Sequence, residues 1–148
     1  MFLVVGKTVD KRLVSLVDEY AERVKHYVPF TMEVIPDLKN TKALSFEQQK
    51  EREGELILKA LKSDDYVVLL DEGGREFASV DFAAYLEQRQ HTVARRMVFV
   101  VGGPYGFSAD VYALAREKVS LSRMTFSHQI WHSLWMLRVI TITAMSMA

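Results

Sequence analysis

Short runs of aliphatic and β-branched residues alternate along this chain with stretches whose apolar positions recur every three or four residues. Phe2–Val5, closed by Gly6, reads as a first strand. From Asp10 onward, Leu13, Leu16, Val17, Tyr20 and Val24 share one face of a helix. Residues 30–35 alternate, with Phe30, Met32 and Val34 set against Thr31 and Glu33, and Pro36 stops this second strand. A polar loop over 37–43 follows. Ser45-Phe46-Glu47-Gln48 has the spacing of a capping box and opens a helix to about Leu61, despite Gly54 in its interior. Residues 66–70 form a continuous apolar run, typical of a strand buried on both faces, and Asp71-Glu72-Gly73-Gly74 turns the chain. Ser79 caps a helix carrying Phe82, Tyr85 and Leu86. Met97–Val101 is a further buried strand. Ser108 caps a helix containing Val111, Leu114 and Ala115, and residues 119–122 form a short strand. From Ser127 to Arg138 the spacing is again helical, with fraying expected beyond because Val139, Ile140 and Ile142 are β-branched.

Strands alternating with helices define an α/β class with a mostly parallel sheet, and no repeat, linker or low-complexity segment divides residues 1–148 into more than one domain. In such sheets ligands bind outside the carboxyl ends of the strands. Three strand ends carry loop chemistry: residues 70–74, 101–108 and 121–128. The second is the most informative. Val98-Phe99-Val100-Val101 runs into Gly102-Gly103-Pro104-Tyr105-Gly106-Phe107-Ser108, a strand ending in a glycine-rich loop and then a helix cap. Glycine allows close backbone approach and positive φ, so the loop suits a small-molecule pocket or simply a tight turn.

Composition narrows the partners. With 49% hydrophobic and 26% charged residues the chain is an ordinary globular sequence. Its apolar runs are too short to span a membrane, and no signal-peptide pattern opens it. The absence of cysteine removes disulfide scaffolds and thiolate metal sites, so a reducing, cytoplasmic setting is the default. A formal net charge of zero leaves nucleic-acid contact to local patches: Arg95-Arg96, the set Arg116, Lys118 and Arg123, or Lys39 and Lys42, each of which also reads as solvated surface charge.

Several enzyme classes fall away. The glycine loop lacks both the G-x-G-x-x-G dinucleotide spacing and the G-K-[ST] of a phosphate loop. There is no Gly-x-Ser-x-Gly elbow and no HExxH-type or cysteine-based metal set, and the four histidines, His26, His91, His128 and His132, are scattered.

The segment VFVVGGPYGFS, followed by Val119-Ser-Leu-Ser-Arg-Met-Thr-Phe-Ser-His-Gln-Ile130, resembles the SPOUT methyltransferases. More narrowly, it is similar to the family that methylates N3 of a pseudouridine in large-subunit ribosomal RNA. Glu33-Val-Ile-Pro-Asp37, Glu51-Arg-Glu-Gly-Glu-Leu-Ile57 and Val68-Leu-Leu-Asp71 extend the similarity from the first strand to about Ile130. The resemblance implies an α/β domain with a C-terminal trefoil knot, an exception among folds. It also implies a homodimer, S-adenosylmethionine as cofactor, ribosomal RNA as substrate and no metal.

Carried over by position, the cofactor contacts are Leu70, Gly103 and the loop Arg123, Met124, Thr125, Phe126, Ser127 and His128. Main-chain groups of the last loop would meet the adenine edge, Leu70 and Phe126 would cover its faces, and Gly103 would let the chain pass close to the ribose and sulfonium. On pattern alone Leu70 is equally a core residue. His128 is a base or, more in keeping with its place, a main-chain donor. Tyr105 and Phe107 either stack on a base or cover the sheet. No residue is assigned as the catalytic base.

The ending departs from the family. Where relatives continue Glu-Gln-Leu-Tyr-Arg-Ala and finish on a Pro-Tyr-His tail, this chain reads Trp131-His132-Ser133-Leu134-Trp135 and closes without tyrosine, proline or histidine after residue 133. A shifted reading frame near residue 130 is one origin and divergence the other. The expectation that follows is measurable cofactor binding with reduced or absent turnover, so a ribosome-docking homologue without catalysis stands as the alternative function.

Overall fold

The computed structural model describes residues 1–6, 11–26, 29–39, 41–92, 96–103 and 105–120. Five strands, β1 (Phe2–Val5), β2 (Met32–Ile35), β3 (Tyr66–Glu76), β4 (Met97–Val101) and β5 (Glu117–Ser120), form one sheet in the order β2-β1-β4-β3-β5. All of its pairings are parallel. Helices α1 (Lys11–Lys25), α2 (Phe46–Ala60), α3 (Ser79–Thr92) and α4 (Ala109–Leu114) connect them, with a 3₁₀ turn at Thr41–Ala43 before α2.

The sheet is buried on both faces because its central strands are apolar over Phe2–Val5, 66–70 and Met97–Val101, and their parity sorts the side chains into two cores. Phe2, Val4, Val68, Leu70, Phe99, Val101 and Val119 face α1 and α3, where Val17, Ala21, Val24, Phe82, Tyr85 and Leu86 meet them. Leu3, Val5, Val67, Leu69, Val98 and Val100 face the opposite layer, against Ile57 of α2 and Phe107 and Val111 at α4.

The elements fall close to the sequence reading, with physical reasons for the shifts. In α1 the buried seam is Val17, Ala21 and Val24, while Leu16 is exposed. β2 lies at a sheet edge, so Phe30 and Met32 pack on the first core but Val34 remains exposed; Ile35 is the residue buried on the other side. The helix expected to follow a Ser79 cap includes Ser79 itself. Ser45 forms the full capping box with Gln48, their side chains and amides bonded at 2.9 and 3.2 Å.

β3 does not end at Leu70. Leu70 and Arg75 both register opposite Val119, so residues 71–74 leave the ladder and the strand resumes at Arg75–Glu76, which carries no apolar signal. β5 begins two residues before its expected start at Val119, at Glu117, whose carboxylate is bound by Arg89 at 2.7 and 3.1 Å and by the Tyr85 hydroxyl. These hydrogen bonds, Arg89's first, hold Glu117 below the usual carboxylate pKa and push the Arg89 guanidinium up; burial, then Glu117, raises Tyr85.

Candidate ligand crevice

β1 and β3 send the chain to helices on one face, whereas β4, lying between them, sends it to α4 on the other. The loops therefore part on either side of the β4 end, which is where open parallel sheets bind ligands. Leu70 pairs in register with Val101, so the point where β3 leaves its ladder and the start of the glycine loop stand side by side at this crevice. Two of the expected cofactor residues, Leu70 and Gly103, are thus brought to one place. The expected contacts from Arg123 to His128, the knot and the helix from Ser127 lie outside the described residues.

Leu70 is 2% exposed and its side chain belongs to the first core. It is core, and what it presents at the crevice is the strand's main chain. Phe107 is likewise spent in the second core, leaving Tyr105 as the partly exposed aromatic of the loop, stacked on Phe46 at 4.2 Å.

The loop is shaped from beneath by α2. An added Cβ on Gly103 would fall 2.7 Å from Glu53 Oε1 and 2.8 Å from its Cδ. One on Gly102 would meet the Phe107 ring at 2.8 Å. The next residue of α2, Gly54, is pressed against Ser108, the N-cap of α4, whose Oγ accepts from the Val111 amide at 3.4 Å. A side chain at 103 would therefore displace either the Glu53 carboxyl or the loop. Positive φ is needed at Gly106 (φ 87°), where the loop closes by a hydrogen bond from the Gly106 N–H to the Gly103 carbonyl oxygen at 3.3 Å.

Glu53 itself is the unexpected member. It is 9% exposed, and Oε2 is a buried side-chain oxygen without a hydrogen-bond partner among the described residues. Burial, followed by the nearby Asp37 carboxylate, pushes its pKa up to about 7. The sequence held a signal for it: a glycine inside a well-capped helix marks a close approach, and Glu53 precedes that glycine.

A second polar group tethers the β3 excursion. The Tyr112 hydroxyl donates to Asp71 Oδ1 at 3.2 Å, and Lys118 Nζ lies 5.4 Å from the Tyr112 ring centre. Burial, with Asp71 beside it, pushes the Tyr112 pKa up to about 12, so it stays a phenol at neutral pH. An open groove of about 380 Å³ runs along Tyr112, Ala115, Arg116, Glu117 and Lys118, beside this tether.

Of the basic candidates, Arg96 is committed to Asp65 at the amino end of the sheet, bonding it at 2.6 and 3.0 Å, so that residue is structural. No cluster of metal-ligating side chains occurs among the described residues, and no described helix is long and apolar enough to cross a membrane.

An open parallel α/β domain with a glycine loop at its topological switch point defines a class that binds small molecules at the carboxyl end of its sheet. The SPOUT methyltransferase family model, described as "Predicted SPOUT methyltransferase", matches residues 1–142, and the chain belongs to that family. It is 62% identical over 128 residues to proteins named "Ribosomal RNA large subunit methyltransferase H" from Phocaeicola vulgatus and Parabacteroides distasonis, covering 86% of this chain and 82% of each relative. A protein of the same name from Porphyromonas gingivalis is 52% identical over 130 residues, 88% of this chain and 83% of its own length. The family match extends past Ile130, where the sequence motifs of the resemblance stop.

Proposed function

We propose that this chain is an S-adenosylmethionine-dependent methyltransferase that methylates N3 of a pseudouridine in large-subunit ribosomal RNA. The observation that carries this reading is the family match together with 62% identity to relatives named for large-subunit ribosomal RNA methylation. A cationic methyl donor fits the crevice in one specific respect: a buried carboxyl oxygen with no hydrogen-bond partner among the described residues lies against the glycine of the loop.

When bound, S-adenosylmethionine supplies an electrophilic methyl carbon on a sulfonium. The chain's part is to orient it. Leu70 offers main chain where β3 leaves its ladder, and Gly103 sets the path of the loop, with Arg123 to His128 completing the site. Methyl transfer is an in-line displacement, so holding the acceptor nitrogen on the axis of the breaking S–C bond is the larger share of the catalysis. The N3 proton must also leave, to a base outside the residues assigned here. A homodimer of domains that each carry a C-terminal trefoil knot, working in the cytoplasm on ribosomal RNA, completes the reading.

The altered ending motivates the other reading, a cofactor-binding homologue without turnover. Relatives that are named methyltransferases and align over more than four-fifths of their length favour the enzyme. Transfer of labelled methyl from S-adenosylmethionine to ribosomes lacking the modification tests it. One methyl per ribosome at N3 of a pseudouridine is expected. Cofactor binding without any methyl transfer would favour the non-catalytic homologue instead.

A further inference from the structure

We propose that Glu53 distinguishes the charged methyl donor from the neutral product, its carboxylate acting across Gly103 on the sulfonium in the crevice. This deepens the cofactor reading above and rests on it. Three observations carry the assignment.

Glu53 reaches Gly103 on the side where a side chain would otherwise project, so the carboxyl and the loop are in van der Waals contact. Its Oε2 is buried and has no hydrogen-bond partner among the described residues. Among the described residues no cation faces it: α4 and its cap present Ser108 and Val111 to α2, β1 contributes Phe2–Val5, and the described charged group that acts on Glu53 is the like-signed Asp37. A buried carboxyl in such a place is costly to ionise unless a cation arrives. The cation of this reaction is the sulfonium, and it vanishes when the methyl group leaves.

Charge accounting then follows. Without ligand the carboxyl is mostly protonated below about pH 7. Binding of the sulfonium favours the carboxylate, and the proton passes to solvent. Methyl transfer breaks the S–C bond and leaves a thioether with the bonding pair on sulfur, so the attraction is lost and Glu53 takes a proton back. The α-ammonium of the amino-acid moiety is common to donor and product and cancels in their comparison.

Calorimetric titration with S-adenosylmethionine and with S-adenosylhomocysteine provides the test. In the wild-type chain the donor is expected to gain over the product, and Glu53→Gln to narrow the affinity ratio by about tenfold, since a neutral amide of the same shape keeps the packing and loses the charge. Titration of the unmutated chain at pH 6.5 in two buffers of different ionisation enthalpy gives an independent readout. Proton release is expected with the sulfonium ligand and little with the thioether. An unchanged ratio in the variant, or equal proton release with both ligands, overturns the proposal while leaving the cofactor reading intact. Failure of the wild-type chain to bind S-adenosylmethionine overturns both.

Discussion

Gly54 and Ser108 are in such close contact that a Cβ on the glycine would overlap the serine Oγ and stand 3.0 Å from the serine Cβ. One residue earlier, Glu53 meets Gly103 in the same way. Adjacent positions of α2 thus fit the two ends of the glycine loop, and the helix acts as the mould on which the crevice is formed. The motif Glu51-Arg-Glu-Gly-Glu-Leu-Ile57 gains a physical reason from this contact.

Gly54→Ala should therefore destabilise the chain even though alanine is the better helix former. Helix propensity returns about 1 kcal/mol, whereas overpacking against a buried cap costs about 1–3 kcal/mol. Ser108 can yield only by turning its Oγ away from the Val111 amide, which loses the cap of α4. A net loss of about 1 kcal/mol is expected in urea unfolding. In a Ser108→Gly background the same change should become neutral or favourable, and simple additivity of the two would refute the contact.

Two glycines near the crevice should separate by what lies beside them. Gly103→Ala drives a methyl group into the Glu53 carboxyl, so the loop must shift, and affinity for S-adenosylmethionine should fall by about tenfold or more. Gly73→Ala, in the β3 excursion, meets only Asp71 Oδ2 at 3.3 Å and should leave affinity within about twofold. Calorimetric titration of both variants checks the contrast.

Much of this was legible in the sequence. Apolar continuity revealed β3 and β4 because central parallel strands are buried on both faces, and the capping boxes and caps at Ser45 and Ser108 appear where their spacing placed them. Legibility failed where structure depends on contacts distant in sequence. Arg75–Glu76 rejoins the ladder although neither residue is apolar, because β5 is there to pair with it. Glu117 starts β5 early because Arg89 and Tyr85 hold its carboxylate from across the layer. Leu70 and Gly103 were found as a pair through family resemblance, while Glu53 was quoted inside a motif with no role. Gly54 marks a close approach in the local sequence, but the burial of the neighbouring carboxyl against a loop some fifty positions away is set by the tertiary fold.

The opposite end of the sheet offers a control. Asp65, with a side chain 1% exposed, receives two hydrogen bonds from Arg96 and one from the Lys62 amide. Burial raises its pKa, but the Arg96 and Lys62 bonds together outweigh burial, and the net position is below the usual value of 3.8. A depressed folded pKa contributes stability that is present above about pH 3.8 and lost as pH falls through the folded value. Asp65→Asn should cost about 1.5–2 kcal/mol at pH 7, since it removes the charge and one acceptor from a pair whose Arg96 side chain is partly solvated. That cost should shrink toward acid pH. Affinity for S-adenosylmethionine should not change, because the pair precedes β3 and β4 at their amino ends.

Glu53 should show the reverse sign. Its folded pKa of about 7 lies above the ordinary 4.5, so between those values the unfolded chain gives up a proton that the folded chain keeps. Stability from this group therefore falls as pH rises from about 4.5 to about 7 and is level above. Glu53→Gln carries no such proton. The unliganded variant should match the wild type near pH 4.5 and exceed it by on the order of 2 kcal/mol at pH 8, read as the difference between paired urea unfolding curves. Saturating S-adenosylmethionine should close that gap, because a sulfonium beside the carboxylate removes the cost of ionising it. A difference that is constant with pH would mean that the buried carboxyl is already ionised and compensated in the free protein, and the mould under the glycine loop would then be purely steric.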